Sequence, residues 1–517
     1  MLAGKYESFN LLNRQLFREY SKGRKEQDAA QITNLKESIS ILEKELVILI
    51  AGSKTDFQQI AVDQIKLKLH PNEVSIEFVK FNVYRPDRAD RVMYAALVLT
   101  PEKEQPVFIP LFEESQLQQL LAASNRIESI SNLYASRGAN PMRVSTPTGL
   151  YELIWKPLLA EIANKKTIYY SPTGLLHHIN FEAITVDQKQ ILSDQFDLIR
   201  LGTTRVIAEW EPQKAQKTGN AYLFGGIDYV SSNSLPIDAL KQTEFVSSHH
   251  DELSFSYAER SQQGNRDWTY LPGTLKEVES ISKILSKAKI PATTFIGSSA
   301  SEAAFKSIGR SMKAPGILHI ATHGYFFSDQ VSSSGEKKAL DSVKNMEQVS
   351  PMDETKKAAS SNSKGEFESN EPVFKISDHP MLRSGLILAG ANASWMDKSN
   401  LENGTEDGIL TAFEISQMNL SNTELVVLSA CETGLGEIKG HEGVYGLQRA
   451  FKIAGVKYLM MSLWQIPDVE TKEFMVSFYK HWLTDKHSIP EAFNLAQQEM
   501  RIKFGEPYKW AGFVLLE

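Results

Sequence analysis

The first pattern in the chain is helical. Leu35, Ile39, Leu42, Leu46 and Leu49 stand four, three, four and three residues apart and make one apolar seam within residues 1–70. Two heptads are too few to establish a coiled coil, and a helix packed on its own domain accounts for the same seam. From Val74 the period changes to two. VSIEFVKF, a turn-rich RPDRAD and RVMYAALVLT predict two antiparallel strands. The same small α/β unit continues through a helix at LYELIWKPLLAEI, a strand at TIYYSP and a turn at Pro172-Thr173-Gly174, and it ends near residue 215.

A second unit opens with AYLFGGIDY, a strand ending in glycines. Helix LKEVESISKIL, strand TTFIG, helix SEAAFKSI and strand GILHIAT follow in order, the alternation of βαβ units in a parallel sheet. SGLILAG, ELVVLSA and KYLMMSLW predict further strands. VETKEFMVSFYKHWL and IPEAFNLAQQEMRIKF predict the last helices. Between Ser328 and Asp378 the chain is rich in Ser, Lys, Glu and Asn, and cannot bury enough apolar surface to offset its ordering entropy. Two readings stand for this tract: a disordered surface insertion, or a regulatory, self-cleaved loop beside an active site. The expected organisation is a helical segment at 1–70, a small α/β unit at 75–215 and a larger α/β unit at 216–517 that carries the insertion at 328–378.

Composition narrows the function. The 517 residues suffice for several folding units, and 42% hydrophobic with 23% charged residues is ordinary for a soluble protein. A net charge of −7, from 63 acidic and 56 basic residues, gives no attraction to nucleic acid or anionic membranes. The N-terminal MLAGKYESFNLLNRQLFREY lacks the apolar core of a signal peptide, and no apolar run is long enough to span a membrane, so a cytoplasmic protein is expected. The single cysteine, Cys431, excludes an internal disulfide and a thiolate-rich metal site.

ILHIATHGYFF sets His323-Gly324 directly after one apolar strand, and ELVVLSACETGLG sets Cys431 directly after another. In an open parallel sheet, functional groups gather beyond the carboxyl ends of the strands. A neutral His323 there would take the proton of the Cys431 thiol and return it to a leaving amine. Gly324 and Cys431 are the candidate backbone donors for the oxyanion. Taken alone, a lone cysteine is commonly a buried small hydrophobe and a lone histidine structural. The argument rests on their conjunction at two strand ends, with Gly434 and Gly436 permitting a turn after the cysteine.

The segments SPTGLLHHINFEAI, LPGTLKEVESI, ILHIATHGYF, PMLRSGLILAGAN, LVVLSACETGLG, GVYGLQRAFKIAGVKYLMMSLWQIPD and PYKWAGFVLLE are collinear over residues 150–517. Together they resemble the CHAT peptidases, relatives of caspases and separases that often accompany tetratricopeptide repeats. The resemblance implies a caspase-like, parallel-rich α/β sheet flanked by helices, preceded by a smaller pseudo-protease-like unit and N-terminal helices. It also implies a His323–Cys431 dyad that uses neither cofactor nor metal. The expected partners are a protein or peptide substrate in bacterial defence or regulated cell death, gasdermin-like or an accessory protein of an RNA-guided system, and an activating protein. A partner-activated switch and a non-catalytic peptide-binding scaffold are the alternatives. The chain departs from the family in lacking repeat helices before the domain. It also separates His323 from Cys431 by 108 positions, against roughly 50 in caspases.

Substrate-binding candidates are Ser429, Trp464 and Asp468. SLWQIPD is similar to the strand on which caspase relatives pair a substrate backbone. Asp468 resembles the acid with which separases receive arginine, and it equally suits a helix cap. Ser429 stands where metacaspases carry aspartate, which weighs against basic specificity. H-x-x-x-H at His319 and His323 has the spacing of zinc ligands on a helix, but its context is a strand and the glutamate of H-E-x-x-H is missing. His319 is expected to pack or hydrogen-bond near the site. The glycines of GGIDYV and GLGEIKG read as turns. Glu432, Glu437 and Glu442 read as a solvated acidic loop or as an attractor of a basic substrate or effector.

Overall fold

A computed structural model describes residues 28–52, 60–84, 91–122, 149–187, 190–210, 219–230, 267–327, 380–395, 406–430, 437–438 and 444–517, with isolated positions before residue 28. Its strands are β1 (Glu73–Val83), β2 (Arg91–Leu99), β3 (Val107–Glu113), β4 (Thr167–Ser171), β5 (Asp197–Arg200), β6 (Ala221–Ile227), β7 (Ala292–Gly297), β8 (Ile317–Ala321), β9 (Gly324–Phe326), β10 (Ser384–Ile387), β11 (Ile409–Thr411), β12 (Leu425–Ser429), β13 (Glu437–Ile438), β14 (Val444–Tyr445), β15 (Tyr458–Ser462) and β16 (Phe513–Leu516). The helices that matter most are α1 (Ala29–Gly52), α2 (Pro272–Lys287), α3 (Glu302–Lys306), α4 (Leu447–Ile453), α5 (Asp468–Tyr479) and α6 (Ile489–Phe504).

Among the described residues one mixed, mostly parallel sheet dominates, in the order β3-β2-β1-β4-β5-β16-β15-β12-β8-β6-β7. Its central strands β6, β8, β12 and β15 are buried at every position, which is why they read as unbroken apolar runs rather than alternating ones. Helices cover the sheet, with α2 packing on β6 and against α5. Strands of both sequence units share this sheet. The link is the C-terminal strand β16, which runs parallel to β5 and antiparallel to β15, so the two halves point their carboxyl ends at opposite edges. Asn180 fastens the seam, its Nδ2 donating to the carbonyls of Ala511 at 2.7 Å and Phe513 at 3.2 Å.

Several expectations change on folding. SGLILAG forms β10, but in a separate antiparallel sheet of order β11-β10-β9 rather than in the parallel one. LYELIWKPLLAEI is not one helix: a π turn at Tyr151–Trp155 gives way to a 3₁₀ turn at Lys156–Leu158, and only Leu159–Ile162 is α-helical. Pro157 supplies no N–H to an α ladder and so breaks the run. Strand β3 was not foreseen because Pro110 interrupts it; the proline is tolerated at a register shift opposite Ala95 on an edge strand. Gly225 and Gly226 are not a turn but a kink inside β6, where α2 crosses closely. A Cβ on Gly225 would come within 2.8 Å of Thr274 O and Val278 Cγ1. The N-terminal seam packs on its own chain, Leu35 and Ile39 against Leu16 and Leu382. The polar tract at 328–378 lies outside the described residues.

Candidate active site

Strands β8 and β12 are parallel neighbours, with Ala321 beside Ser429. Two residues beyond Ala321 comes His323, which is 3% exposed. Its Nε2 lies 2.8 Å from the carbonyl oxygen of Thr269. A carbonyl only accepts, so Nε2 carries the proton and, in the neutral ring, Nδ1 holds the lone pair. The rings of Trp268 and Tyr229 flank the imidazole at centroid distances of 5.0 and 5.1 Å. Asn392 holds the stretch that presents Thr269, accepting from Trp268 N–H at 2.7 Å and donating to Trp268 O at 2.9 Å. Neither Thr269 nor Asn392 was singled out in the sequence; the AGAN segment after β10 carried the only hint of the latter.

Gly324 begins β9 and stands opposite Leu386 of β10. Hydrogen bonds run from Ile387 N–H to His323 O and from Phe327 N–H to Arg383 O on either side of it. Antiparallel pairs alternate, so Gly324 occupies a non-hydrogen-bonded position and its N–H faces away from β10.

A cleft at this edge of the sheet brings together His323, Ser429, Trp464 and Asp468, four of the residues picked out in the sequence, with Glu277 of α2. Ser429 Oγ is buried and has no hydrogen-bond partner among the described residues. Trp464 is pinned by its Nε1 donating to Tyr508 O at 2.9 Å. Asp468 is the first residue of α5, whose N-cap is Pro467, so it is not the cap. The residue is exposed as a whole, yet its carboxyl presses on Gly273 and accepts from that backbone. Burial of the carboxyl, and secondarily the charge of Glu277, push the Asp468 pKa upward. Glu277 was missed in the sequence because it looked like one acid among several on an amphipathic helix.

His319 is fully buried on β8, its Nε2 2.9 Å from Glu277 Oε1 and its Nδ1 3.3 Å from Tyr479 Oη. Both nitrogens are engaged by side chains of α2 and α5. A cluster of Glu302, Glu406 and Glu414 has the spacing of a metal site, but Lys306 Nζ stands 2.6–2.7 Å from each carboxylate and supplies the cation itself. Cys431, Glu432, Gly434, Gly436 and Glu442 lie outside the described residues, as does the side chain of Glu437.

Comparison with known proteins fits this geometry. The family model for the CHAT domain matches residues 146–517, more than half of the chain. The chain belongs to the CHAT domain family, and its fold is a mixed, mostly parallel α/β sheet covered by helices. Among curated proteins it is similar to tetratricopeptide repeat protein 28 of Mus musculus, 33% identical over 111 residues, and of Homo sapiens, 32% identical over 111 residues. Those matches take in 21% of this chain and 4% of each relative's length. Among solved structures, the Arg-specific cysteine proteinase gingipain R aligns at 6% identity and a TM-score of 0.37, over 69% of this chain and 64% of the other. The Saccharomyces cerevisiae separase–securin complex aligns at 9% identity and a TM-score of 0.41, over 99% of this chain and 37% of the other. The family assignment does not rest on these two. No helix among the described residues is long and apolar enough to cross a membrane.

Proposed function

We propose that the chain is a cysteine endopeptidase in which His323 is the general base and Cys431 the nucleophile. The observation that carries this reading is the hydrogen bond from His323 Nε2–H to Thr269 O, which leaves Nδ1 as the proton acceptor at the edge of the sheet where β12 leads into Cys431. Nδ1 takes the thiol proton, and the thiolate attacks the scissile carbonyl carbon. The N–H groups of Gly324 and Cys431 stabilise the resulting oxyanion. The imidazolium then gives its proton to the departing amine, leaving a thioester on Cys431. Water, deprotonated by the same Nδ1, attacks the thioester, and the acid product leaves as the thiol is restored.

The cleft supports one substrate class. Among the described residues its lining contains Glu277 and Asp468 and no lysine or arginine. A cationic side chain entering there would offset the burial that, with the charge of Glu277, raises the Asp468 pKa, so a basic residue before the cut is the preferred fit. Ser429 and Trp464 are among the residues around the same cleft.

Cleavage of a proteome-derived peptide library by the wild type beside Cys431→Ala and His323→Ala tests the reading. The expected result is cuts after Lys or Arg that fall by about 10²–10⁴-fold in both variants. Cleavage that survives both substitutions overturns the dyad. Failure of the wild type to cut, or to react at Cys431 with an electrophilic peptide, favours a binding scaffold. Labelling that appears only with a partner added favours the switch.

A further inference from the structure

The proposed chemistry leaves one buried imidazole without a role. His319 lies in the middle of β8, between Leu223 of β6 and Val427 of β12, and is fully buried. Helix α2 packs on β8 and against α5. Each helix brings one polar side chain to the ring: Glu277 from α2, and Tyr479 from the last position of α5. Helix α5 therefore acts at both ends, since its first residue, Asp468, lines the His323 cleft.

The direction of each hydrogen bond in this trio follows from burial. Tyr479 is fully buried, and burial together with the Glu277 charge raises its pKa, so the hydroxyl keeps its proton. Among the described residues its hydroxyl bonds His319 Nδ1 alone, at 3.3 Å. Were Nδ1 the donor, the hydroxyl proton would be buried without an acceptor, so Oη donates and Nδ1 accepts. The ring proton is then on Nε2, which donates to Glu277 Oε1 at 2.9 Å. A hydrogen bond of that sense favours the ionised carboxylate. Glu277 Oε2 bonds no described residue and, unlike Ser429 Oγ, is not sealed from solvent. The Glu277 side chain keeps 3% exposure and lines the His323 cleft.

We propose that His319 and Tyr479 are positioning residues for substrate recognition: they hold one oxygen of Glu277 so that the other faces the cleft as a fixed anion, and thereby favour a cationic side chain over a neutral one of the same shape. The proposal rests on the reading of this cleft as the pocket for the residue before the cut. Neither positioning residue touches the substrate. An acceptor fixed in advance stabilises a cation without reorganising when it arrives. Apolar side chains of similar volume hold a helix on a sheet as firmly as a buried polar pair does, but they cannot aim a carboxylate.

The test uses the full chain carrying Cys431→Ala, so that binding is read without cleavage. Affinity is measured for two alanine-based peptides that differ only in carrying arginine or its neutral isostere citrulline at one position. Arginine is expected to bind about 10–100-fold more tightly, a preference lost in Glu277→Gln and reduced about fivefold or more in His319→Asn, whose amide falls at the place of Nδ1 and does not reach Glu277. His319→Gln sets an amide N–H where Nε2 was and should keep most of the preference at unchanged circular dichroism. Equal effects of the Asn and Gln substitutions, or no preference for arginine in the parent, overturn the inference. If His319→Asn does not fold, Tyr479→Phe decides: a preference reduced about threefold or more supports the inference, and one equal to the parent's overturns it. Cleavage by the wild type is read separately. A chain that prefers the arginine peptide and never cuts loses the peptidase reading and keeps this one, whereas a chain that cuts without the preference keeps the dyad and loses this one.

Discussion

At the scale of single residues, the site depends on what each polar atom is already bonded to. His323 is buried, and one nitrogen is committed to a backbone carbonyl, which fixes its tautomer. Asp468 differs: its carboxyl is raised by burial and by Glu277, and among the described residues the cleft holds no lysine or arginine. Asp468→Asn is therefore expected to lower kcat/KM for substrates with Lys or Arg before the cut by about 10–100-fold, while alkylation of Cys431 by iodoacetamide keeps its wild-type rate. Equal loss on basic and apolar substrates would remove Asp468 from specificity. The histidine, the serine, the tryptophan and the aspartate were all legible in the sequence as strand-end or loop residues. Glu277, Thr269 and Asn392 were not, because their roles come from contacts across 42–124 positions of chain.

Elements set these contacts by register. A shift of one residue between β8 and β12 would turn His323 to the other face of the sheet. The stretch before α2 is held differently, by the two hydrogen bonds of Asn392 to Trp268 rather than by a ladder. Asn392 acts through Thr269 as a positioning residue. Asn392→Ala should lower kcat by about tenfold with little change in KM, and shift the pH profile of Cys431 alkylation, since a loosened Thr269 carbonyl no longer fixes the His323 tautomer. Asn392→Asp keeps the acceptor for Trp268 N–H and should recover part of the rate. If stability falls while kcat and the alkylation profile stay unchanged, the clamp is structural only. Element types were readable because apolar periodicity is local: β6, β8, β12, β15, α2 and α6 fall where the pattern set them. β3 and the broken helix at 151–162 were not, because a proline changes backbone pairing in ways that periodicity does not register.

For the whole molecule, the joining of two half-sheets through β16 creates a deeply buried polar seam. Arg200 donates to the carbonyls of His177 at 2.9 Å and Ile179 at 3.2 Å inside it. Burial, with the Arg200 charge adding to it, holds His178 down at about 4 and His177 well below the ordinary histidine range. The unfolded chain takes up these protons near 6.5, before the folded one does, so stability is full above about pH 6.5 and declines as the pH falls toward 4. Between those limits the wild type should lose on the order of 2–3 kcal/mol more than His178→Asn, read from urea denaturation at each pH. Parallel pH profiles for the two proteins would show that His178 is already protonated in the fold.

The order and type of most elements, the pairing of His323 with Cys431 as candidate chemistry and the family itself were written in the sequence, because strand burial, helix amphipathicity and strand-end motifs are properties of a few consecutive residues. Tertiary structure alone decided that β10 leaves the parallel sheet, that the last strand unites two halves facing opposite edges, that Glu277 lines the cleft, and that Thr269 bonds His323 while Asn392 bonds the neighbouring Trp268. These depend on hydrogen bonds and charges between residues distant in the chain, whose partners no local pattern specifies.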